Sequence, residues 1–154
     1  MVIKSVNGVL IEEEVVVVVK PDDQIVNNSE VLVNDEDLVI PVGANDVWFV
    51  VIMLKAMSAS VNPDMNYVFA VPAGGAMGLL DSAKFVSNSV YVPIDGLVAI
   101  TLPNYVDERN MCLFGIYTGG GTAGNLQLQW AQNTATAEDT TMKAKSSMIC
   151  FKVS

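Results

Sequence analysis

A strict alternation near the C-terminus constrains the fold of this chain more than any other feature. The apolar positions are Leu126, Leu128 and Trp130, and the alternate positions hold Gln127, Gln129 and Ala131. A period of two is typical of a β-strand with one face in the core and the other in solvent. We therefore expect the apolar set in the core of a β-sheet domain. The glycine-rich segment 118–124 before it is expected to be a flexible connection between strands.

Short segments rich in β-branched and aromatic residues recur along the chain, roughly every 8–12 residues. The predicted strands cover residues 15–19, 30–33, 38–42, 47–57, 65–71, 91–94, 96–102, 110–118, 125–132 and 146–153. The acidic residues 34–37 form a predicted turn, and residues 76–85 are the one helix candidate. This rhythm predicts an all-β fold, an antiparallel β-sandwich of jelly-roll type, with Trp48 and Phe69 in its core.

The N-terminal 20 residues have a character of their own. Asn7-Gly8 between apolar residues is a strong hairpin signal. The run Val15, Val16, Val17, Val18 and Val19 predicts a strand that is buried on both faces. Such a run would aggregate if exposed on a sheet edge, so another subunit is a candidate cover. We therefore divide the chain into a hairpin or inter-subunit arm at 1–20 and a sandwich domain at 21–154, with the five valines as candidate interface residues.

Length and charge limit the classes of partner. The 154 residues fit one domain, and 51% are hydrophobic while 16% are charged. The formal net charge is −9, and Arg109 is the single arginine. Nucleic acid and anionic membranes both attract clustered basic residues, so neither is an expected partner. No signal peptide is recognised, and the longest apolar run, 47–54, is far below the ~20 residues that span a bilayer, so synthesis in a cytoplasm is expected.

Residues that commonly carry chemistry are scarce. The chain has no histidine, which removes the most common general base and metal ligand. Carboxylate pairs remain candidates for acid–base chemistry, drawn from Asp35, Glu36, Asp37, Asp46, Asp107 and Glu108. Solvated turn residues are the better interpretation, so we expect no enzyme, no catalytic residue, no cofactor and no metal site. Calcium binding by Asp35 and Asp37 stays open, as does a disulfide between Cys112 and Cys150.

Several segments occur in an order that resembles a known group of proteins. They are Asn-Asp-Glu-Asp-Leu-Val-Ile-Pro-Val at 34–42, Ala-Asn-Asp-Val-Trp at 44–48, Pro-Asp at 63–64, Phe-Ala-Val-Pro-Ala-Gly at 69–74 and Gly-Thr-Ala-Gly-Asn-Leu-Gln-Leu-Gln-Trp-Ala-Gln-Asn at 121–133. This order is similar to that in small structural proteins of tailed bacteriophages. The resemblance spans about residues 28–153, and its last segment is the most specific. The valine-rich N-terminal segment lies outside it.

The resemblance implies a virion protein with a jelly-roll-like sandwich that assembles as a homotrimer. The expected function is capsid decoration (cementing): binding to the major capsid protein on the outer lattice and stabilising the head. The expected location is the capsid surface. Deletion of residues 1–19 is expected to abolish capsid binding and to leave the sandwich folded.

The alternative function is a head- or tail-fibre or spike module that binds a receptor or carbohydrate. It requires an exposed aromatic groove, for which Trp48, Tyr67, Tyr105 and Tyr117 are the candidates. The chain shows no long repetitive or coiled-coil stretch typical of fibres, which favours decoration.

Overall fold

A computed structural model describes residues 2–6, 9–60, 63–81, 92–94, 100–101 and 108–154. The strands are β1 Val2–Val6, β2 Val9–Glu13, β3 Val15–Val19, β4 Gln24–Val26, β5 Val33–Val42, β6 Val47–Ser58, β7 Asn66–Ala70, β8 Ala76–Asp81, β9 Val92–Ile94, β10 Ile100–Thr101, β11 Arg109–Thr118, β12 Gly124–Ala131, β13 Thr140–Met142 and β14 Ser147–Lys152. Within these ranges no helix is long and apolar enough to cross a bilayer.

Eight consecutive strands pair as one long, nested hairpin. Strand β5 pairs with β12, β6 with β11, β7 with β10 and β8 with β9, all antiparallel. Rolling this hairpin up places β12 beside β7 and β11 beside β8. The result is two facing sheets with the orders β5-β12-β7-β10 and β6-β11-β8-β9. This is the jelly-roll arrangement of two packed antiparallel sheets, so the predicted fold class is confirmed.

The second sheet is wider than the first because both ends of the chain add to it. Strands β13 and β14 pair with the outer edge of β6, and β4 and β3 pair in turn with β13 and β14. The valine run, β3, is therefore hydrogen-bonded into the large sheet, although the sequence assigned it to the N-terminal arm. Strands β1 and β2 form a sheet of their own, in which Val6 lies opposite Val9; the predicted Asn7-Gly8 turn lies outside the described residues.

The core lies between the two sheets. Every second residue of β6 points inward, so that Trp48, Val50, Ile52 and Leu54 are at most 1% exposed. The other residues that the sequence placed in the core are equally buried: Phe69, Leu126, Leu128 and Trp130. Ala131 is buried as well, although the alternation placed it on the solvent side.

Three sequence predictions about local structure were wrong. The predicted strand at residues 30–33 is absent apart from Val33, which begins β5. Residues 76–81 form strand β8 instead of the start of a helix, because Met77 and Leu79 alternate into the core and the strand pairs with β11; residues 82–85 lie outside the described ranges. The acidic residues 34–37 belong to β5 instead of forming a separate turn. Val39 pairs with Gln127 and Asn34 pairs with Gln129, so residues 35–38 form a bulge opposite Leu128 and the strand continues past it.

The glycine-rich connection before β12 was predicted to be flexible, but part of it is closely packed. A Cβ atom on Gly120 would lie 2.5 Å from the carbonyl carbon of Gly74, in the turn before β8. A Cβ atom on Gly119 would lie 2.9 Å from the backbone of Asp46. Gly119 also donates a 2.7 Å backbone hydrogen bond to Asp46. These glycines are required for close approach of three loops at one end of the sandwich.

We predict that Gly120→Ala destabilises the protein by about 1–3 kcal/mol, because the new methyl group collides with backbone that cannot rotate away. The matched control is Gly121→Ala, since a Cβ atom on Gly121 would meet nothing within 4 Å. Its effect should stay within about 0.5 kcal/mol. Urea unfolding of both variants measures the difference, and equal losses would contradict the packed loop.

Candidate functional site

The outer face of the large sheet carries an ordered array of apolar side chains. Cross-strand partners lie on the same face of a sheet, so the registers of β3, β14, β6 and β11 define three rows of four residues. The rows are Val15, Phe151, Phe49 and Ile116; Val17, Ile149, Val51 and Phe114; and Val19, Ser147, Met53 and Cys112. We call these twelve positions the outer apolar face. Eleven of them are apolar, one is serine, and none is charged.

This face is open to solvent within the chain. Seven of its side chains are between 37% and 58% exposed: Val15, Val17, Val19, Phe49, Met53, Ile116 and Phe151. At roughly 150–200 Å² for a whole large side chain, they present on the order of 500 Å² of apolar surface. Contiguous apolar patches of that size are at the upper end for a monomer and commonly mark interaction sites.

In the small sheet, by contrast, the outward positions of strand β12 are polar. This strand directs Asn125, Gln127 and Gln129 away from the core. Gln129 Nε2 donates to Asn34 Oδ1 at 2.8 Å, and Gln127 Nε2 donates to the carbonyl oxygen of Asp35 at 2.8 Å. Polar outward residues are usual where one face of an antiparallel sheet meets solvent, and β12 shows them whereas the four strands of the outer apolar face do not.

The edges of the outer apolar face differ from its centre. Beyond the third row, Lys55 Nζ forms an ion pair with Glu108 Oε1 at 2.7 Å. Within the first row, the rings of Phe49 and Phe151 lie 6.2 Å apart, centroid to centroid. An apolar centre with a polar rim is the usual anatomy of a protein–protein interface. Chemically, this surface offers burial of apolar area, and its polar groups are the free thiol of Cys112 and the buried hydroxyl of Ser147.

The five valines of the sequence-predicted interface divide between two environments. Val15, Val17 and Val19 belong to the outer apolar face, whereas Val16 and Val18 are partly buried against the core. The expectation of a strand buried on both faces therefore fails within the chain, because one face is exposed. Sequence reasoning missed Phe49, Met53, Ile116 and Phe151. In the sequence, each of these residues is an apolar residue that alternates with core residues along its strand. That pattern does not show which face of the sheet is exposed.

The acidic candidates for calcium binding hold a lysine instead. Lys20 Nζ lies 3.2 Å from Asp35 Oδ1 and 2.9 Å from Asp37 Oδ2, and its side chain is 1% exposed. Asp35 Oδ1 also accepts hydrogen bonds from the backbone nitrogens of Asp37 and Leu38. The ammonium group supplies the positive charge at this position. Within the described part of the chain, no group of three or more acidic, cysteine or histidine residues could hold a metal ion.

Of the remaining carboxylate candidates, Asp46 and Glu108 are engaged in ion pairs. Asp46 Oδ2 accepts from Gly43 N at 2.8 Å and Trp48 Nε1 at 3.2 Å, and its Oδ1 lies 2.9 Å from Lys152 Nζ. The hydrogen bond from Lys152 is the main reason that the pKa of Asp46 lies below its ordinary value. Asp46 thereby ties the turn before β6 to the end of β14. Glu36 is exposed, and Asp107 lies outside the described residues.

The aromatic and cysteine candidates give no binding groove or disulfide. Trp48, Tyr67 and Tyr117 are each at most 1% exposed, and Tyr105 lies outside the described residues. A sugar platform cannot be built from the three buried rings. Both cysteines are free. Burial raises the pKa of the Cys150 thiol to about 12, so that side chain is an unreactive part of the core.

Neither a protein-family model nor a curated protein matches this chain. Among solved structures, it is similar to a chain of the infectious bursal disease virus Gx strain, with a TM-score of 0.32, 9% identity, and coverage of 99% of this chain and 45% of that one. It is also similar to a chain of the Gt strain, with a TM-score of 0.24, 10% identity, and coverage of 91% and 36%. This chain spans less than half of either. We draw nothing about function from likenesses at these TM-scores.

We predict that Lys20→Met destabilises the protein by about 3–5 kcal/mol, because it leaves the buried Asp35 carboxylate without its cation. Lys55→Met is the matched control. Its partner Glu108 is largely solvated, so the loss should be about 0–1 kcal/mol. Urea unfolding at neutral pH compares the two. Losses of similar size would show that the Lys20 cluster is no stronger than a surface ion pair.

We predict that the stabilising effect of Asp46 disappears in acid. Its folded-state pKa lies below the ordinary 3.8, so the ionised carboxylate stabilises the fold above about pH 3.8 and the effect is lost as the pH falls through the lowered pKa. Asp46→Asn should therefore unfold at lower urea than the unaltered protein at pH 7, and the gap should close at about pH 2. Glu36→Gln removes the same charge at an exposed position and controls for net charge. A gap that is constant with pH would contradict the assignment.

Proposed function

We propose that this protein is a virion structural protein that decorates a capsid, binding the outer lattice and stabilising the head. The observation that carries the proposal is the outer apolar face. A chain that presents an uncharged, four-stranded apolar surface is suited to a lasting contact in an assembly more than to a free monomer. The proposed partners are further copies of the chain, as a homotrimer, and the major capsid protein.

Two further features support this function. The eight-stranded jelly roll is a fold that viral capsid proteins use, although lectins and other proteins share it. The ordered segments from residue 34 to residue 133 resemble those of small tailed-phage structural proteins, and two of them have structural roles here. Asp46 joins the turn of the second segment to β14, while the alternating segment that ends near Trp130 is the central strand of the small sheet.

Decoration places few chemical demands on the chain. It requires many copies, each of which buries a patch of about 800 Å² on its partner, and no catalytic step. Binding that is specific for the assembled lattice stabilises that lattice by mass action. An uncharged face and internally paired carboxylates are compatible with such a role, and we propose that the protein is not an enzyme.

The N-terminal hairpin is the proposed capsid-contacting segment. Strands β1 and β2 form a two-stranded sheet that is not hydrogen-bonded to the sandwich sheets. An isolated hairpin is marginally stable in water, so it gains most from packing on a partner. Only Glu14 separates the end of β2 from the start of β3. The hairpin is thus attached directly to the edge strand of the large sheet.

The fibre or spike alternative finds less support. Three of its four candidate aromatic residues are buried in the core, as described above. An apolar surface without hydrogen-bonding groups also suits a carbohydrate poorly, since sugars are bound through polar groups placed around an aromatic platform.

Copy number tests the proposed function. We expect this protein in purified virions at a ratio near one to one with the major capsid protein, because a decoration protein covers the whole lattice. Quantitative mass spectrometry with labelled peptide standards measures the ratio. A ratio of a few per cent would favour the fibre or spike function, and absence from the particle would overturn the virion assignment.

We predict that deleting residues 2–13 abolishes binding to undecorated heads and leaves the melting temperature of the sandwich unchanged. The longer deletion of residues 2–19 should also lower the melting temperature, because it removes β3 from its pairing with β14. Co-sedimentation with purified heads measures binding, and thermal unfolding measures stability. Undiminished binding by the shorter deletion would exclude the hairpin as the capsid contact.

A further inference from the structure

We infer that the outer apolar face is covered by other copies of this chain, and that the capsid is contacted elsewhere. This inference rests on the proposed function, since it assigns one surface of the decoration protein to its own assembly. The twelve positions of the face lie on β3, β14, β6 and β11, which are consecutive strands of the large sheet. In the proposed homotrimer, three such faces would surround the symmetry axis.

The size of the face fits a contact between stable subunits. Its seven most exposed side chains present on the order of 500 Å² of apolar surface, while a standard interface buries about 800 Å² on each partner. The partly exposed Val51, Phe114, Ile149 and Cys112 fill the spaces between them. The Lys55–Glu108 pair adds a polar rim beyond the third row. Interfaces between permanent subunits are also the most apolar class.

Charge favours a second copy as the occupant. The chain has a net charge of −9, so two copies repel each other wherever their acidic surfaces meet. The outer apolar face has no charged side chain, which makes it a surface where like-charged copies approach at little electrostatic cost. Complementary charges are what favour one partner protein over others and speed its approach. The outer apolar face has no such charge pattern for a different protein.

The strand at the border of the face supports the same occupant. β3 is the last strand of the large sheet in the described part of the chain, and its three outward valines are 41–58% exposed. A border strand with exposed valines is an aggregation hazard, and packing of another subunit on its outward side chains reduces that hazard. Contact between copies of the chain would bury these three valines.

The test is the oligomeric state of Met53→Lys, which places a charge among the apolar rows. The matched control is Asn125→Lys, which makes the same charge change at an exposed position of β12, on the outer side of the small sheet. Both variants reduce the net negative charge, so general repulsion falls equally in both. We expect the unaltered protein and Asn125→Lys to be oligomers and Met53→Lys to weaken self-association at least tenfold. Sedimentation velocity over a range of concentrations measures the change.

Folding and capsid binding are measured separately. Circular dichroism and thermal unfolding show whether Met53→Lys is folded, and Val17→Lys, at a more exposed position of the same face, replaces it if it is not. The inference is overturned if the unaltered protein is monomeric. It is also overturned if Met53→Lys or Val17→Lys is folded and stays fully oligomeric. If such a variant stays oligomeric but fails to bind undecorated heads, the outer apolar face is the capsid contact. That result overturns the inference and leaves the decoration function intact. The copy number in virions tests that function independently.

Discussion

Strand β6 carries apolar side chains at nearly every position, yet a two-layer sandwich can bury only one of its faces. Its inward residues, from Trp48 to Leu54, form the centre of the core. Its outward residues Phe49, Val51 and Met53 face solvent together with those of β14, β11 and β3. Burial of apolar area is the main favourable term in association, so this exposed surface is suited to contact with another molecule. The proposed function follows from that constraint.

The jelly roll alone does not produce the wide apolar surface. Eight strands would give two sheets of equal width, but the N-terminal and C-terminal strands extend only the sheet that contains β6. The extension is held at two places. Lys20 joins the junction of β3 and β4 to the bulge in β5, and Lys152 joins the end of β14 to Asp46. The calcium candidates Asp35 and Asp37 thus pair with a lysine of the same chain, and so does Asp46. These ion pairs fix the added strands to the sandwich.

Much of the fold could be predicted from local pattern, and the errors have identifiable causes. The alternation around Trp130 and the dense apolar run of β6 gave strands close to the observed positions. Residues 34–37 were taken for a turn because acidic and asparagine residues favour turns, but a bulge allows the strand to continue through them. Residues 76–81 contain helix-forming alanine, methionine and leucine, and pairing with β11 outweighs that weak preference. β13 was missed because Thr140–Met142 is short and polar at its start.

The candidate site was less accessible to sequence reasoning than the fold. The valine run indicated that both faces of its strand need an apolar contact. This can be read from the sequence because successive side chains of a β-strand point to opposite faces of the sheet. Which of those faces stays open depends on the register of β3 on β14 and of β14 on β6, and on the presence of only two layers. The sequence by itself determined the strands, their apolar content and the absence of histidine chemistry. Only the tertiary structure decided that Phe49, Met53, Ile116 and Phe151 join the valines on one surface, because these residues are far apart along the chain and meet through cross-strand pairing.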